Sequence, residues 1–201
     1  MTTTKLDLAK KYKQYYTAKT TPMIIEVGEI PYLAIEGKGE PAGEVFIKAV
    51  GVLYPLAYGI KNICKRQGHD FGVPKLEGLW WVKLDKPALE VPRAEWYWKL
   101  LIRMPDFVTS EIVESTKEEV YKKKGIDLIK EIKFEKINEG KCIQIMHVGP
   151  YSTEPETIGK IKDFMEDNDF TENGLHHEIY ISDPRKTIPE KMKTILRQPI
   201  K

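Results

Sequence analysis

The side chains best placed to do chemistry are one carboxylate and a set of large rings. In Leu175-His176-His177-Glu178-Ile179-Tyr180-Ile181, strand alternation puts His176, Glu178 and Tyr180 on one face and His177, Ile179 and Ile181 on the other. An acid in the middle of a strand is solvated, paired with a base, or kept as a general base or counter-charge. The rings are Trp80 and Trp81 on one short run, Trp96, Tyr97 and Trp98 on another, and Tyr54 and Tyr58 one helical turn apart. Neighbouring residues on a strand face opposite ways. Some of these rings therefore build core, and the others look onto a groove suited to flat, apolar or cationic molecules. If Ile179 and Ile181 pack under a helix, Glu178 faces that groove; in the competing reading it pairs with a Lys or Arg and only tunes solubility.

Other motifs carry less. Gly37, Gly39 and Gly43 in "EGKGEPAGE" are spaced one residue too long for a dinucleotide fingerprint. Glu40 would meet the pyrophosphate there, and no acid lies between Val45 and His69 to hold a ribose. Four histidines and two cysteines show no zinc spacing, although His147 comes near His176 or His177 if the two halves of the chain pair their strands. No serine or cysteine triad signature occurs. The expectation is no metal and no cofactor.

Composition narrows the partners. With 32 Lys and Arg against 30 Asp and Glu, the net charge of +2 shows no basic surface for nucleic acid. No run approaches the ~20 apolar residues that cross a bilayer. The first residues lack the apolar core of a signal peptide, and Cys64 and Cys142 sit far apart in apolar surroundings. A cytoplasmic protein with a small hydrophobic or cationic aromatic ligand is expected. Oligomeric state is left open.

The elements that must position these residues repeat. "MIIEVGEIPYLAIEGKG" reads as two β-runs around a Gly28-Glu29 turn. A helix follows, with Phe46, Ala49, Val50, Leu53, Ala57, Ile60 and Cys64 on one face and Pro55 expected to kink or split it. Strands over 77–84 and 95–105 come next. The second half replays this order: β-runs around Asn138-Glu139-Gly140, a helix opened by a Thr153/Glu156 capping box, then two strands. "LIRMP" ending the first half matches "ILRQP" ending the second. The whole chain, 1–201, is thus read as one α+β domain of two modules, 22–105 and 130–199. A bridging segment at 106–129 carries a helix over 110–125 that Gly125 ends. A helix covers one face of each sheet, and a pseudo-twofold axis sets the other faces around a central groove.

The segments "AIEGKGEP", "LYPLAYGIK", "EGLWW", "WYWKLLIRMPDFV", "EGKCIQIMHVGPYSTEP" and "GLHHEIYISDPRK" together resemble the GyrI-like small-molecule-binding family over nearly the whole chain. That family has the effector-binding-domain fold, a duplicated β-α-β-β module around a groove. The resemblance implies a ligand-binding glutamate on the strand that holds Glu178. It also resembles stand-alone members that hydrolyse the cyclopropane of DNA-alkylating natural products such as yatakemycin. It implies catalytic roles for Glu178 and Tyr121 and ligand contacts from Trp80, with Tyr54, Tyr97, Trp98, His147 and Tyr180 as further candidate lining. The alternative is a binding protein that sequesters amphipathic or cationic drugs without turnover. No helix-turn-helix segment is present, so the transcription-factor role of relatives does not carry over.

Overall fold

In a computed structural model, residues 5–41 and 43–201 are described. Six antiparallel strands and five helices form a mixed α+β fold. The strands are β1 (Met23–Lys38), β2 (Leu76–Trp81), β3 (Tyr97–Arg103), β4 (Lys133–Val148), β5 (His176–Tyr180) and β6 (Lys193–Pro199). They close into a barrel in the order β1-β3-β2-β5-β6-β4. The helices are α1 (Leu8–Lys11), α2 (Lys13–Tyr16), α3 (Glu44–Arg66), α4 (Ser110–Lys124) and α5 (Glu154–Glu166). None of them is long and apolar enough to cross a membrane.

The expected turn at Gly28-Glu29 is absent. β1 runs through it as one strand and pairs antiparallel with β4 from Met23↔Gln144 to Ala34↔Lys133. Val27 and Ile30, three residues apart, both point into the barrel, so the strand changes facing across the glycine and bends there. The Asn138-Glu139-Gly140 stretch behaves alike in β4, where Gly140 takes φ 63°. Each half is therefore β-α-β-β, with the long strand curving where a hairpin was expected.

Pro55 does not split α3 either, since the helix is continuous from Glu44 to Arg66. One missing backbone bond is outweighed by a face on which Ala49, Val52, Leu53, Leu56, Ala57, Ile60 and Cys64 are all buried. That face lies on the outer surface of the barrel, over Leu33, Ile35, Leu100 and Ile102. α5 covers Ile143, Ile145 and Leu196 in the same way farther round. Thr153 precedes α5 but makes no capping bond to it, because its hydroxyl donates to the Pro150 carbonyl instead. Gly125 does end α4, at φ 64°, with its N–H on the Tyr121 carbonyl.

Ile179 departs most from expectation. It points into the barrel with Leu79, Leu101, Cys142 and Ile195, not under a helix. The barrel interior is capped by Leu8, Tyr15 and Tyr16 of the amino-terminal turns, which the sequence patterns did not reveal. Gln144 donates to the Gln14 and Thr17 carbonyls, and Arg197 to that of Tyr15, which ties those turns down.

Candidate functional site

Antiparallel pairing aligns β2 with β5 so that Gly78 is opposite Glu178 and Trp80 opposite His176. β3 continues the row with Trp98 beside Trp80, and β6 continues it with Leu196 beside Glu178 and Thr194 beside Tyr180. With Ile179 inside the barrel, alternation turns His176, Glu178 and Tyr180 to the outer surface that also carries α3 and α5. Glu178 thus lies on the helix-bearing face, between α3 and α5, and not on a helix-free face around a central groove as expected; only its shared facing with His176 and Tyr180 is as alternation requires.

Trp80 is buried. Its ring stacks on Phe46 of α3 at 6.0 Å and meets Trp96 edge-on at 6.1 Å. Its Nε1–H donates to the Tyr180 hydroxyl at 3.0 Å. This bond passes over Gly78, where an added Cβ would lie 3.0 Å from both Trp80 Nε1 and Tyr180 Oη. Glycine at 78 is what lets the two rings meet across the strands.

The Glu178 side chain is 12% exposed, so it is not a solvated surface acid. No Lys or Arg forms an ion pair with it among the described residues. Its one charged-group contact is His176 Nε2 at 3.6 Å, and that nitrogen is itself buried without a hydrogen-bond partner. Burial, and after it the Glu178 charge, push the Tyr180 hydroxyl well above the usual phenol range.

The opposite wall comes from the start of α5. Tyr151 packs edge-on against Tyr180 at 6.1 Å between ring centres. One turn on, Glu154 is 7% exposed and its Oε1 is buried with no hydrogen-bond partner. Burial first, then the neighbouring Glu178 charge, push the Glu154 carboxyl up to about 9, only partly opposed by Thr194 and Arg93. The sequence reading missed Glu154 although it sits in the quoted "GPYSTEP". A carboxylate at a helix start passes for a favourable partner of the helix dipole, and nothing local shows that it is buried.

The remaining candidates divide. Trp98 is fully buried beside Phe46, at 5.5 Å edge-on. Tyr54 is half-buried on α3 with its hydroxyl near the Leu76 backbone, and burial raises its pKa. It also lines a cleft of about 440 Å³ between α3 and α4, with Tyr58, Val120 and Lys123, away from Glu178. Tyr97 points to the other face of β3 and stacks on Trp81 at 5.8 Å, with Lys83 Nζ 4.2 Å from its ring centre. His147 lies buried beneath α5, bonded to Thr157 Oγ1 at 2.9 Å and the Pro150 carbonyl at 3.1 Å. Tyr121 is on α4, under Lys130 Nζ at 3.8 Å from the ring centre, and α4 packs on α3 and the 127–131 turn. The structure thus assembles Trp80, Glu178 and Tyr180 with Glu154, Tyr151 and His176. It does not bring Tyr97 or Tyr121 to them, and His147 stands one strand farther on, beside Thr194 in register and against the turn that leads to Glu154.

Comparison with known proteins gives the family and the fold. The model of a GyrI-like small molecule binding domain matches residues 20–201. An uncharacterized conserved protein from Listeria innocua is 43% identical, with a TM-score of 0.91 and coverage of 98% of this chain and 100% of that one. A hydrolase from Listeria innocua is 42% identical, with a TM-score of 0.88 and the same coverage. The EcmrR C-terminal domain, 14% identical with a TM-score of 0.58 over 90% of this chain and 97% of that one, shares the fold. No curated protein matches the chain.

Proposed function

We propose a function from one premise: the chain belongs to the GyrI-like small molecule binding domain family. The protein binds a planar hydrophobic small molecule over Trp80, Tyr180 and Tyr151 and hydrolyses those that carry a strained electrophilic ring, such as cyclopropane-bearing DNA alkylators. One observation carries this reading: Glu178 is a nearly buried acid without a Lys or Arg partner, set among aromatic rings. An acid in that setting is available to act on a ligand or water. The 42% identical Listeria innocua relative named a hydrolase supports turnover.

In the proposed reaction Glu178 takes a proton from a water, whose oxygen forms a bond to the cyclopropane carbon as the ring C–C bond breaks. The electron pair passes into the conjugated ring and emerges as a phenolate. Tyr180 is better placed than Tyr121 to assist, since it accepts from Trp80 Nε1 and turns its own O–H toward Glu178, which orients the acid that takes the proton of the water. Tyr121 keeps a catalytic role only if α4 moves.

The test is to incubate the protein with a cyclopropane-bearing alkylator and follow ring-opened product by mass spectrometry. Product in catalytic excess supports the hydrolase. Stoichiometric protection without product supports the second reading, a cytoplasmic binding protein that sequesters aromatic or cationic compounds. The residue pattern favouring that second reading is the same unpaired acid among rings. We also read 22–105 and 130–199 as duplicated modules, supported by the β1–β4 and β2–β5 pairings between the halves; superposing the two halves tests it.

A further inference from the structure

We propose that Glu154 is a second carboxyl of the ligand site and donates a hydrogen bond there. With Glu178 it offers one donor and one negative charge to a planar aromatic ligand that carries an acceptor atom and no more than one positive charge. This rests on the reading of the Glu178 surface as the ligand site.

The geometry comes from three strands and a helix start. β6 supplies Thr194, which stands beside Tyr180 in register and bonds the Glu154 carboxyl. Tyr151, in the turn before α5, holds its ring against Tyr180. Glu154 is thereby fixed on the far side of Tyr180 from Trp80, with Oε1 unpartnered in a buried position. The ionisable groups around it are Glu178, Tyr180 and His176 on β5, Tyr151 in its own turn, Arg93 ahead of β3 and Asp183 after β5. Arg93 is exposed and forms no ion pair with it among the described residues, so no cation neutralises the two acids.

Two buried carboxyls in one site do not both ionise at neutral pH, because the second charge meets burial and repulsion together. Glu154 is the more buried and keeps the proton, consistent with its strongly raised affinity for it. Glu178 is the acid closer to solvent and to His176. A neutral buried acid is then a hydrogen-bond donor whose partner is missing, and a ligand acceptor atom supplies it.

Two measurements test this. The first needs no ligand: carboxyl carbon shifts of Glu154 are followed by NMR across pH in the wild type and in Glu178→Gln. The expected result is a Glu154 titration that moves toward acid when the Glu178 charge is removed, while burial, the larger cause, still holds it above the ordinary carboxylate range. An unmoved titration overturns the carboxyl pair. The second uses calorimetry with acridine, which is neutral with one ring-nitrogen acceptor, and with the 9-aminoacridinium cation, at a pH below the Glu154 midpoint measured for Glu178→Gln and in two buffers of different ionisation enthalpy. Glu154→Met is expected to lose about tenfold in acridine affinity. Glu178→Gln is expected to bind the cation with release of a proton, because Glu154 then ionises to become the counter-charge. Cation binding by Glu178→Gln without proton release overturns the proposal. A wild type that binds neither probe while the titrations stay coupled overturns the ligand site itself, and with it the ligand half of this inference.

Discussion

The barrel wall buries acids on both of its sides, under opposite conditions. Inside the barrel, Glu139 accepts from His177 Nδ1 at 2.9 Å and from Arg197 Nη1 at 3.0 Å. Glu77 accepts from His177 Nε2 at 3.0 Å and from the Tyr15 hydroxyl, which also contacts Tyr32 Oη at 2.6 Å. Burial opposes the Glu139 anion, yet His177 and Arg197 outweigh it and hold its carboxyl at about 2. Burial likewise opposes the His177 cation, but Glu139 and Glu77 push it up to about 9. On the outer face, Glu178 of β5 and Glu154 at the start of α5 form no ion pair with a Lys or Arg among the described residues, and Glu154 keeps a proton instead. The inner acids are matched in charge by His177 and Arg197, although Glu77 Oε1 has no hydrogen-bond partner; the outer pair has no Lys or Arg ion pair among the described residues, and the proposed ligand site is placed there for that reason. The same residue type at the same depth thus takes its role from its partners.

The largest effect is expected where that matching is broken. Arg197→Met leaves Glu139 buried with less compensation and should cost about 3–5 kcal/mol of stability in urea denaturation. A loss below 1 kcal/mol would show that the inner network is no more structural than the outer pair. Glu178→Gln should do the reverse, leaving stability unchanged or higher while lowering turnover of an alkylating substrate by about 10²–10⁴-fold. A destabilised Glu178→Gln with full turnover would make both faces structural.

Trp80→Ala should weaken binding of a planar aromatic ligand by about 1–3 kcal/mol, read from fluorescence quenching of the folded variant. Unchanged affinity would assign Trp80 to the α3 core alone.

The pH dependence of stability separates the two faces again. Glu154 is raised from an ordinary 4.5 to about 9, so the unfolded chain releases its proton first. Its contribution is therefore full below pH 4.5 and declines as pH rises toward 9, by at most about 1.4 kcal/mol per pH unit. His177, raised from 6.5 to about 9, stabilises fully below pH 6.5 and loses that contribution as pH rises through 9. Glu139, lowered from 4.5 to about 2, contributes fully above pH 4.5 and loses that contribution as pH falls from 4.5 through 2. Glu154→Gln should abolish the decline between pH 4.5 and 6.5 and lessen the one between 6.5 and 9, where the His177 part remains. An unchanged profile would take Glu154 out of the buried pair. The smallest effect is expected of Tyr121→Phe, which should alter ligand affinity and turnover by less than about twofold, because the ring lies under Lys130 on α4. A large loss there would mean that the functional surface extends to α4.

The sequence by itself determined the local features. Period-two alternation separated Glu178 from His177 and Trp80 from Trp81, apolar spacing marked the buried face of α3, and Gly125 marked the end of α4. These depend on a few neighbouring residues, and their physics is contained in that window. Tertiary structure decided everything that joins distant segments. Closure of β1 against β4 turned two expected hairpins into bent strands. It also placed Ile179 inside the barrel instead of under a helix. It set Arg197 against Glu139 and Glu154 near Glu178, while Tyr121 stayed with Lys130. An acid's neighbours across a barrel follow from strand register and helix docking, and those are fixed by burial of the whole core; residue type and spacing alone do not contain them.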